Sequence, residues 1–282
     1  METVVGKLAP VSVVIPALNA ERFIEEAIRS AQNQSLPVAE IIVVADDCSD
    51  RTMAIASDLG ARVLEHKRRN MSVGLNLGVG QSTQPWVAFL DADDYWHPDK
   101  IALQWEAIES FPDVGLISCD HYVIYPHVLA SASQRELSER WKKSQPTAKK
   151  GDYYYVERAD GAFMTRFFVD TPTAIVRREV FSTVGLFDES LSHFQTFEFF
   201  ARVLARYPLG FVQRPLVYSR VHDQNHTREM RGWTSHLAVV DRMLKHPEQY
   251  APGAGQAHRE FLKRDFILAE RILARANSRK PI

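Results

Sequence analysis

Apolar and polar positions along the chain follow two patterns, one typical of helices and one typical of buried strands, and these alternate along the sequence. Apolar residues spaced three or four positions apart predict helices, with Asn19 capping the first and Asn76 inside a further helical segment. Strands that alternate with helices and are apolar throughout indicate a mostly parallel sheet with helices on both faces. The predicted strands are Val11–Ile15, Ile41–Ala45, Arg62–Leu64, Trp86–Leu90 and Val114–Ser118, and the clearest helices are 19–34, 50–59, 98–110 and 195–207.

The pattern changes twice in the second half of the chain. Residues 130–166 are charged and rich in tyrosine, which predicts a loop insertion that is either a surface excursion or a mobile lid. The last helical stretch has an apolar stripe that favours packing on the domain, with contact to a membrane surface as the alternative. The expected organisation is an α/β domain over 1–232, with halves at 11–120 and 121–232, and a helical C-terminal extension over 233–282.

Composition narrows the class of protein. The chain has 282 residues, 45% of them hydrophobic, and a formal net charge of -1, so no overall field draws it to nucleic acid. Two cysteines exclude a disulfide framework and favour a reducing compartment. No apolar run reaches the roughly 18 residues of a membrane span, and the N-terminus does not resemble a secretory signal. We therefore expect a cytoplasmic protein.

Two acidic clusters follow predicted strands. Asp46 and Asp47 come directly after the second strand, and Asp91 and Asp93 come directly after the fourth. Ligands of parallel sheets bind at the carboxyl ends of the strands, and carboxylate oxygens suit Mg²⁺ or Mn²⁺ when phosphates supply further oxygens. Either cluster alone could instead be a solvated loop that caps the next helix.

Cations and histidines lie near these clusters in sequence. Lys67, Arg68 and Arg69 fall between the two acidic loops and could pair with phosphate, although most such charge runs form a solvated surface. His222 and His226 could be metal ligands if they converge on the acidic residues, and otherwise they have a structural role.

Six segments, taken together and in order, resemble the large family 2 of inverting glycosyltransferases. They cover about 11–227 and are VSVVIPALNAERFIEEAIRSAQNQS, IIVVADDCSDRT, NLG, WVAFLDADDYWHPDKI, VGLFDESL and YSRVHDQNHT. The resemblance implies the GT-A fold, in which a mostly parallel sheet is flanked by helices and has a Rossmann-like nucleotide-binding half. Residues 11–120 would then bind the nucleotide sugar, and 121–232 would bind the acceptor.

The resemblance also implies roles for individual residues. Asp47 would contact the nucleotide base, Asp91 the ribose or the metal, and Asp93 the metal, with His222 beside the metal or the diphosphate. The expected ligands of Mn²⁺ or Mg²⁺ are Asp93, Asp91 and His222. The expected donor-binding set is Pro16, Asn19, Asp46, Asp47, Arg68, Arg69, Asn76, Asp91, Asp93 and His222.

The implied reaction is a single displacement at the anomeric carbon. A sugar would pass, with inversion, from a nucleotide-diphospho-sugar to a hydroxyl of a glycan or a lipid-linked acceptor, while the metal stabilises the departing nucleoside diphosphate. Nucleic acid is not an expected partner. Peripheral contact with the inner face of the membrane is an open alternative to a purely cytoplasmic location.

The catalytic base is where the sequence departs most from the family. Gln195 and Thr196 occupy the positions at which the family carries an acidic pair, and Leu75 replaces a common arginine. A base is still needed near the attacking hydroxyl. Glu198 is the nearest acid, although it lies about 200° around the helix, and His193 is the second candidate.

Three other interpretations compete with a glycosyltransferase. A binding protein of the same fold could hold a nucleotide sugar without turnover, and Gln195–Thr196 supports it. A nucleotidyltransferase would need a glycine-rich loop near the first strand, which Ile15–Asn19 lacks. An aspartyl-phosphate phosphatase would need Thr or Val where the chain has Tyr95.

Overall fold

The computed structural model describes residues 8–125, 128–130, 147–157, 169–223 and 231–250, together with residues 260, 263 and 267. The strands are β1 Ala9–Ala17, β2 Val38–Asp46, β3 Arg62–His66, β4 Trp86–Phe89, β5 Tyr95–Trp96, β6 Leu116–Tyr125, β7 Val128–Ala130, β8 Ala148–Lys150, β9 Tyr153–Val156, β10 Ile175–Arg177 and β11 Leu209–Arg220. The helices are α1 Ile24–Gln32, α2 Thr52–Asp58, α3 Met71–Gln81, α4 Lys100–Ser110, α5 Arg178–Val184, α6 Gln195–Leu204, α7 Arg231–Lys245 and α8 Pro247–Tyr250.

The described strands form one sheet in the order β3-β2-β1-β4-β10-β6-β11-β9-β8, with β5 beside β11 and β7 beside β6. Strands β3, β2, β1 and β4 are parallel, and β6 is parallel to β11. Strand β10 runs antiparallel between β4 and β6 and joins these two parallel blocks. The predicted α/β class with a mostly parallel sheet is confirmed.

Helices cover both faces of the sheet. Buried residues of α1, α2 and α4 pack against one face, and those of α3, α5, α6 and α7 pack against the other. Strands β1 and β4 contribute side chains to both cores, as Val13 and Val14 show. A strand buried on both faces needs apolar residues at almost every position, which explains the apolar runs in the sequence.

Glycine permits the closest helix–sheet contact. A Cβ added at Gly78 would lie 2.3 Å from Val14 Cγ1, so α3 can approach β1 only without a side chain there. Asn70 caps the same helix, because its Oδ1 accepts from the backbone N–H of Ser72 at 2.9 Å. The helical prediction for the segment around Asn76 is confirmed.

Two local predictions are wrong. Asn19 does not cap α1, which begins at Ile24; it adopts a left-handed backbone conformation with φ 49°, and its Oδ1 accepts from Ser49 N at 2.8 Å. Tyr153–Val156 is not a loop, because it pairs antiparallel with β11 as a strand of the sheet. The alternating exposure of its tyrosines fits a half-buried strand better than an insertion.

The remaining parts of the predicted organisation are described only partly. Residues 131–146 and 158–168, where a mobile lid was the alternative, lie outside the described residues, as does most of 251–282. Helix α7 packs into the same core as α6 through Val239, Val240 and Met243. Within the described part of the chain, we find no helix that combines the length and apolarity needed to cross a membrane.

Candidate functional site

Three acidic or polar loops meet at one edge of the sheet. Parallel strands β1, β2 and β4 are neighbours, so the loops after Ala17, Asp46 and Phe89 leave the sheet on the same side. Pro16 lies near the end of β1, opposite Val44 of β2. The acidic residues predicted from sequence therefore lie at this carboxyl edge, which we call the crevice.

Asp46 anchors the loop that carries the cations. Its two carboxylate oxygens each accept a backbone hydrogen bond at 2.7 Å, from Arg69 N and Asn70 N, and His66 Nδ1 lies 3.4 Å away. The side chain is only 10% exposed. Asp46 thus positions the loop before α3, and its carboxylate oxygens are already used.

Asp47 presents its carboxylate at the surface of the crevice. Its backbone has a positive φ of 50°, and its N–H donates to His66 O at 2.8 Å, which fixes the turn after β2. Arg69, also at positive φ, donates from Nε to Asp47 Oδ2 at 2.9 Å. Left-handed backbone at non-glycine residues is costly and is often retained at functional sites.

Asp91 is the least satisfied acid of the crevice. Its Oδ1 is buried and has no hydrogen-bond partner. Burial raises the pKa of the Asp91 carboxyl well above its ordinary value, and the neighbouring charges of Asp94, Asp93 and Asp170 raise it further. A buried carboxylate oxygen that has no partner and lies near other carboxylates is suited to accept a hydrogen bond from a ligand or to bind a cation.

Asp93 and His222 are brought together from distant parts of the sequence. His222 Nε2 lies 2.9 Å from Asp93 Oδ2, and its ring stacks on Phe23 at a centroid distance of 4.9 Å. Among the described residues, no group of three or more His, Cys, Asp or Glu side chains forms a ready metal site. Asp91, Asp93 and His222 could hold a cation together with the oxygen atoms of a diphosphate.

Asp94 and Arg220 support this acidic loop. Asp94 accepts from Ser219 Oγ at 2.9 Å and from Arg220 N at 2.8 Å, and burial followed by the Asp93 charge raises the pKa of its carboxyl to about 8. The Arg220 guanidinium donates to Asp93 O at 2.7 Å and to Glu26, and it lies 4.6 Å from the Tyr95 ring centroid. The sequence placed Asp94 in the acidic cluster, but it predicted no role for either residue.

Two of the predicted donor-binding residues contact the turn FDESL, residues 187–191. Asn76 Oδ1 accepts from Phe187 N at 2.9 Å, and its Nδ2 donates to Phe187 O at 3.0 Å. Arg68 Nη1 lies 3.4 Å from Glu189 Oε2. The turn is thereby fixed against α3, and the side chain of Arg68 remains 69% exposed.

Glu198, on α6, belongs to a buried cluster of charged and polar side chains. Its carboxylate accepts from Arg202 Nε and Nη2, both at 2.8 Å, and from the Tyr250 hydroxyl at 2.7 Å, and its side chain is 2% exposed. His193 is partly exposed, with Nδ1 at 3.1 Å from Ser192 Oγ. Among the described residues, the Glu198 carboxylate contacts the side chains of Arg202, Tyr250 and Arg242, and none of these belongs to the acidic loops.

Sequence patterns also missed a histidine–aspartate pair. His121 Nδ1 on β6 lies 3.3 Å from Asp170 Oδ2. Burial raises the pKa of the Asp170 carboxyl, His121 opposes that effect, and Asp120 adds to it. No local signal could have revealed the pair, because Asp170 reaches the crevice only through the antiparallel course of β10.

Relatives of known name are glycosyltransferases. An uncharacterised glycosyltransferase of Rickettsia typhi is 28% identical over 221 residues, which cover 77% of this chain and 65% of the relative. The amylovoran biosynthesis glycosyltransferase AmsB of Erwinia amylovora is 28% identical over 196 residues, covering 66% and 61%. The chain thus spans less than two thirds of the length of these curated relatives.

Solved structures share the fold. TarS of S. aureus, residues 1–349 in complex with UDP-GlcNAc, has a TM-score of 0.69 at 16% identity, covering 95% of this chain and 74% of that one. The mannosyltransferase PcManGT of Pyrobaculum calidifontis, in complex with GDP-Man and Mn²⁺, has a TM-score of 0.66 at 18% identity, covering 98% and 77%. The family model for glycosyl transferase family 2 matches residues 12–185, more than half of the chain, and the chain belongs to this family.

Proposed function

We propose that this chain transfers a sugar from a nucleotide-diphospho-sugar to an acceptor hydroxyl, with inversion and with Mn²⁺ or Mg²⁺. The structurally similar proteins support the class of donor, since their titles name UDP-GlcNAc for TarS and GDP-Man with Mn²⁺ for PcManGT. Relatives named for amylovoran and teichuronic acid biosynthesis support a glycan or lipid-linked acceptor. Nucleic acid is not an expected partner of a chain with a net charge of -1.

The observation that carries the proposal is the state of the Asp91–Asp94 loop. Asp91 Oδ1 is buried without a partner, and the adjoining carboxylates repel one another. Asp93 already faces His222 at 2.9 Å. Oxygen ligands of this kind suit a divalent cation, so the residues present fit the cofactor.

Different side chains of the crevice would bind different parts of the nucleotide sugar and its cation. Asp47, exposed at the end of β2, would accept a hydrogen bond from the base or ribose, while Arg69 holds its carboxylate in place. Arg68 and Arg69 would face the diphosphate. Asp91, Asp93 and His222 would hold the cation, which as a Lewis acid would stabilise the charge on the departing diphosphate.

A ligand-binding experiment tests the proposal directly. UDP-GlcNAc and GDP-mannose are titrated into the protein by calorimetry, with and without Mn²⁺. We expect at least one of them to bind more tightly with Mn²⁺, and we expect Asp93→Asn to remove this Mn²⁺-dependent part. Asp58→Asn, on the exposed side of α2, is the control. Binding of neither compound, or equal Mn²⁺-dependent binding by the Asp93 variant, would contradict the proposal.

A nucleotide-sugar-binding protein without turnover is the second candidate. Thr196 cannot act as a base at neutral pH, and both carboxylate oxygens of Glu198 have partners. The prediction that Glu198 or His193 is the base is untested, and the contacts of Glu198 favour a structural role. Turnover by the wild-type protein excludes this second candidate.

The organisation and location of the protein remain predictions within the same proposal. We infer a nucleotide-sugar-binding half over 11–120, an acceptor half over 121–232, and a helical extension over 233–282. A cytoplasmic location, with or without contact to the inner face of the membrane, fits a nucleotide-sugar substrate. Fractionation of cells that express the tagged protein distinguishes the two locations.

A further inference from the structure

Three tyrosines form a stacked row across three neighbouring strands. Tyr218 of β11 lies opposite Tyr95 of β5 on one side and opposite Tyr122 of β6 on the other. Residues directly opposite one another on paired strands project from the same face of a sheet, so the three rings lie side by side. The ring centroids of Tyr95 and Tyr218 are 4.6 Å apart, and those of Tyr218 and Tyr122 are 5.2 Å apart, with interplanar angles of 11° and 19°. We call these three residues the tyrosine row.

We propose that the tyrosine row binds a sugar unit of the acceptor. The proposal rests on the proposed function, because it concerns the second substrate of the same transfer reaction. The ligand is a carbohydrate with several hydroxyl groups, and the hydroxyl groups of the tyrosines contact it.

The tyrosine row lies at the same edge of the sheet as the crevice. Strand β10 is antiparallel to both β4 and β6, so β4 and β6 run in the same direction, and β11 is parallel to β6. The carboxyl ends of β6 and β11, near which Tyr122 and Tyr218 lie, therefore meet the edge where β4 ends. Asp94, which directly precedes Tyr95, accepts from Ser219 Oγ at 2.9 Å. An acceptor on the row is thus adjacent to the acidic loop of the crevice.

Arg220 connects the tyrosine row to this acidic loop. Its guanidinium lies 4.6 Å from the Tyr95 ring centroid and donates to Asp93 O at 2.7 Å. The same guanidinium pairs with Glu26 of α1. Rings that stack on one another and on a fixed guanidinium lose little conformational freedom when a ligand binds, which lowers the entropic cost of binding.

The hydroxyl groups of the row are available to a ligand. All three tyrosines are half-buried, and among the described residues their hydroxyls have no hydrogen-bond partner. By contrast, the hydroxyl of Tyr155 on β9 donates to Asp113. Burial raises the pKa of the Tyr95 and Tyr218 hydroxyls, so both stay protonated at neutral pH, and each can donate and accept a hydrogen bond.

A carbohydrate matches this surface better than an acyl chain or an ionic ligand. An acyl chain would cover the tyrosine hydroxyls without pairing them, which is unfavourable. The Arg220 charge at the Tyr95 end of the row is already paired with Glu26, so it does not favour an anion. A sugar offers hydroxyl groups to the tyrosine hydroxyls and C–H groups to the ring edges, and sites with aromatic walls and a few polar groups are common for small ligands.

Saturation-transfer NMR measures binding of sugars without requiring turnover. The probes are the methyl glycosides of glucose, galactose, mannose and N-acetylglucosamine, added with UDP or GDP and with Mg²⁺, which unlike Mn²⁺ is diamagnetic. We expect at least one glycoside to bind the wild-type protein. The double variant Tyr122→Phe, Tyr218→Phe keeps the stacked rings and removes two neutral hydrogen bonds, so we expect the Kd of that glycoside to rise about 10-fold.

Tyr155→Phe is the matched control. Tyr155 also stacks on a neighbouring ring, that of Phe111 at 5.1 Å, but it lies opposite Gly210 at the start of β11. The Kd of the glycoside for this variant should equal that for the wild type.

Kinetics distinguish acceptor binding from a merely structural role. With the glycoside as acceptor, the double variant should raise the KM for the glycoside. It should leave unchanged the Kd of the nucleotide sugar and the rate at which water hydrolyses that sugar. A change in all three quantities would indicate that the row only supports the fold, and would overturn the inference.

The outcomes separate this inference from the proposed function. If the wild-type protein binds neither UDP-GlcNAc nor GDP-mannose, the proposed function fails, and the inference fails with it. If it binds a nucleotide sugar but no glycoside, or if the double variant binds the glycoside as tightly as the wild type, the inference alone is overturned. Loss of binding to vesicles of phosphatidylglycerol and phosphatidylethanolamine in the double variant, with glycoside binding retained, would make the row a membrane contact and would also overturn it.

Discussion

A carboxylate in this protein has different properties depending on what surrounds it. Asp46, Asp47 and Asp91 all follow apolar strands, yet the first anchors a backbone, the second is exposed beside Arg69, and the third has a buried Oδ1 without a partner. The sequence predicted their shared edge. It could not predict these differences, because they depend on backbone N–H groups and arginines that folding brings from other loops.

For Asp47, removal of the carboxylate should weaken nucleotide-sugar binding. Loss of a hydrogen bond to a charged group costs about 1.5–3 kcal/mol, and we therefore expect Asp47→Ala to raise the Kd about 10- to 100-fold. Calorimetry on the folded variant measures this. Glu65→Ala is the control, since Glu65 also pairs with a cation on the surface, Lys67 at 3.7 Å. An unchanged Kd would make Asp47 a loop residue only.

For Glu198, we expect an effect on stability. In Glu198→Gln, the largely buried Arg202 faces a neutral amide in place of a carboxylate. Breaking a buried ion pair lowers the free energy of unfolding by about 3–5 kcal/mol, and we take this range as the upper limit for the amide variant. Glu25→Gln is a matched control, because Glu25 and Arg29 have the same spacing and the same 2.8 Å contact but are exposed, where pairs contribute at most about 0.5 kcal/mol. Urea unfolding measures both. A stable Glu198 variant with a 10²-fold lower kcat would instead support Glu198 as the base.

Among the elements, helices and strands were more predictable than the loops between them. The helix near 195–207 and the strand at Ile41–Ala45 follow from apolar spacing alone. The strand Tyr153–Val156 was missed because its pairing with β11 is non-local, and its charged neighbours resemble a loop. Arg220 was missed for the same reason: its role follows from β11 running beside β5 and the acidic loop.

The contact of α3 with β1 gives a prediction at this scale. Gly78→Ala should destabilise the fold by about 1–3 kcal/mol, because its methyl group would overlap Val14. Gly80→Ala, in the same helix, meets nothing within 4 Å and should stabilise by up to about 1 kcal/mol through helix propensity. Thermal unfolding of the two variants should therefore shift in opposite directions. Equal shifts would show that α3 is not pressed against β1.

For the whole molecule, a buried lysine makes stability depend on pH. Lys100 is fully buried, donates to Gln104 Oε1 at 2.7 Å, and lies 4.1 Å from the Trp96 ring centroid. Burial lowers the pKa of its ammonium from 10.5 to about 8, with Cys119 opposing the effect. The folded protein therefore binds this proton less tightly than the unfolded chain, and the contribution of Lys100 to stability rises from about pH 8 to about pH 10.5.

Comparison with Lys100→Met isolates this effect. The free energy of unfolding of the wild type, relative to the variant, should increase by about 2 kcal/mol between about pH 7 and about pH 9.5. Urea unfolding at the two pH values measures the change. Lys245→Met, which removes an exposed lysine paired with Asp241 at 2.7 Å, should show no comparable increase. If the difference in free energy of unfolding between the wild type and Lys100→Met is the same at both pH values, burial does not lower the pKa of Lys100.

The antiparallel β10 has a consequence for synthesis on the ribosome. Strand β4 has β1 on one side, and among the described residues its other edge pairs with Ile175–Arg177 alone. At about 5–20 residues per second, the nascent chain exposes that edge for several seconds before its partner emerges. An open strand edge is a template for aggregation. A fragment ending near residue 120 would keep this edge open permanently, so residues 11–120 depend on the later part of the chain to fold as a monomer.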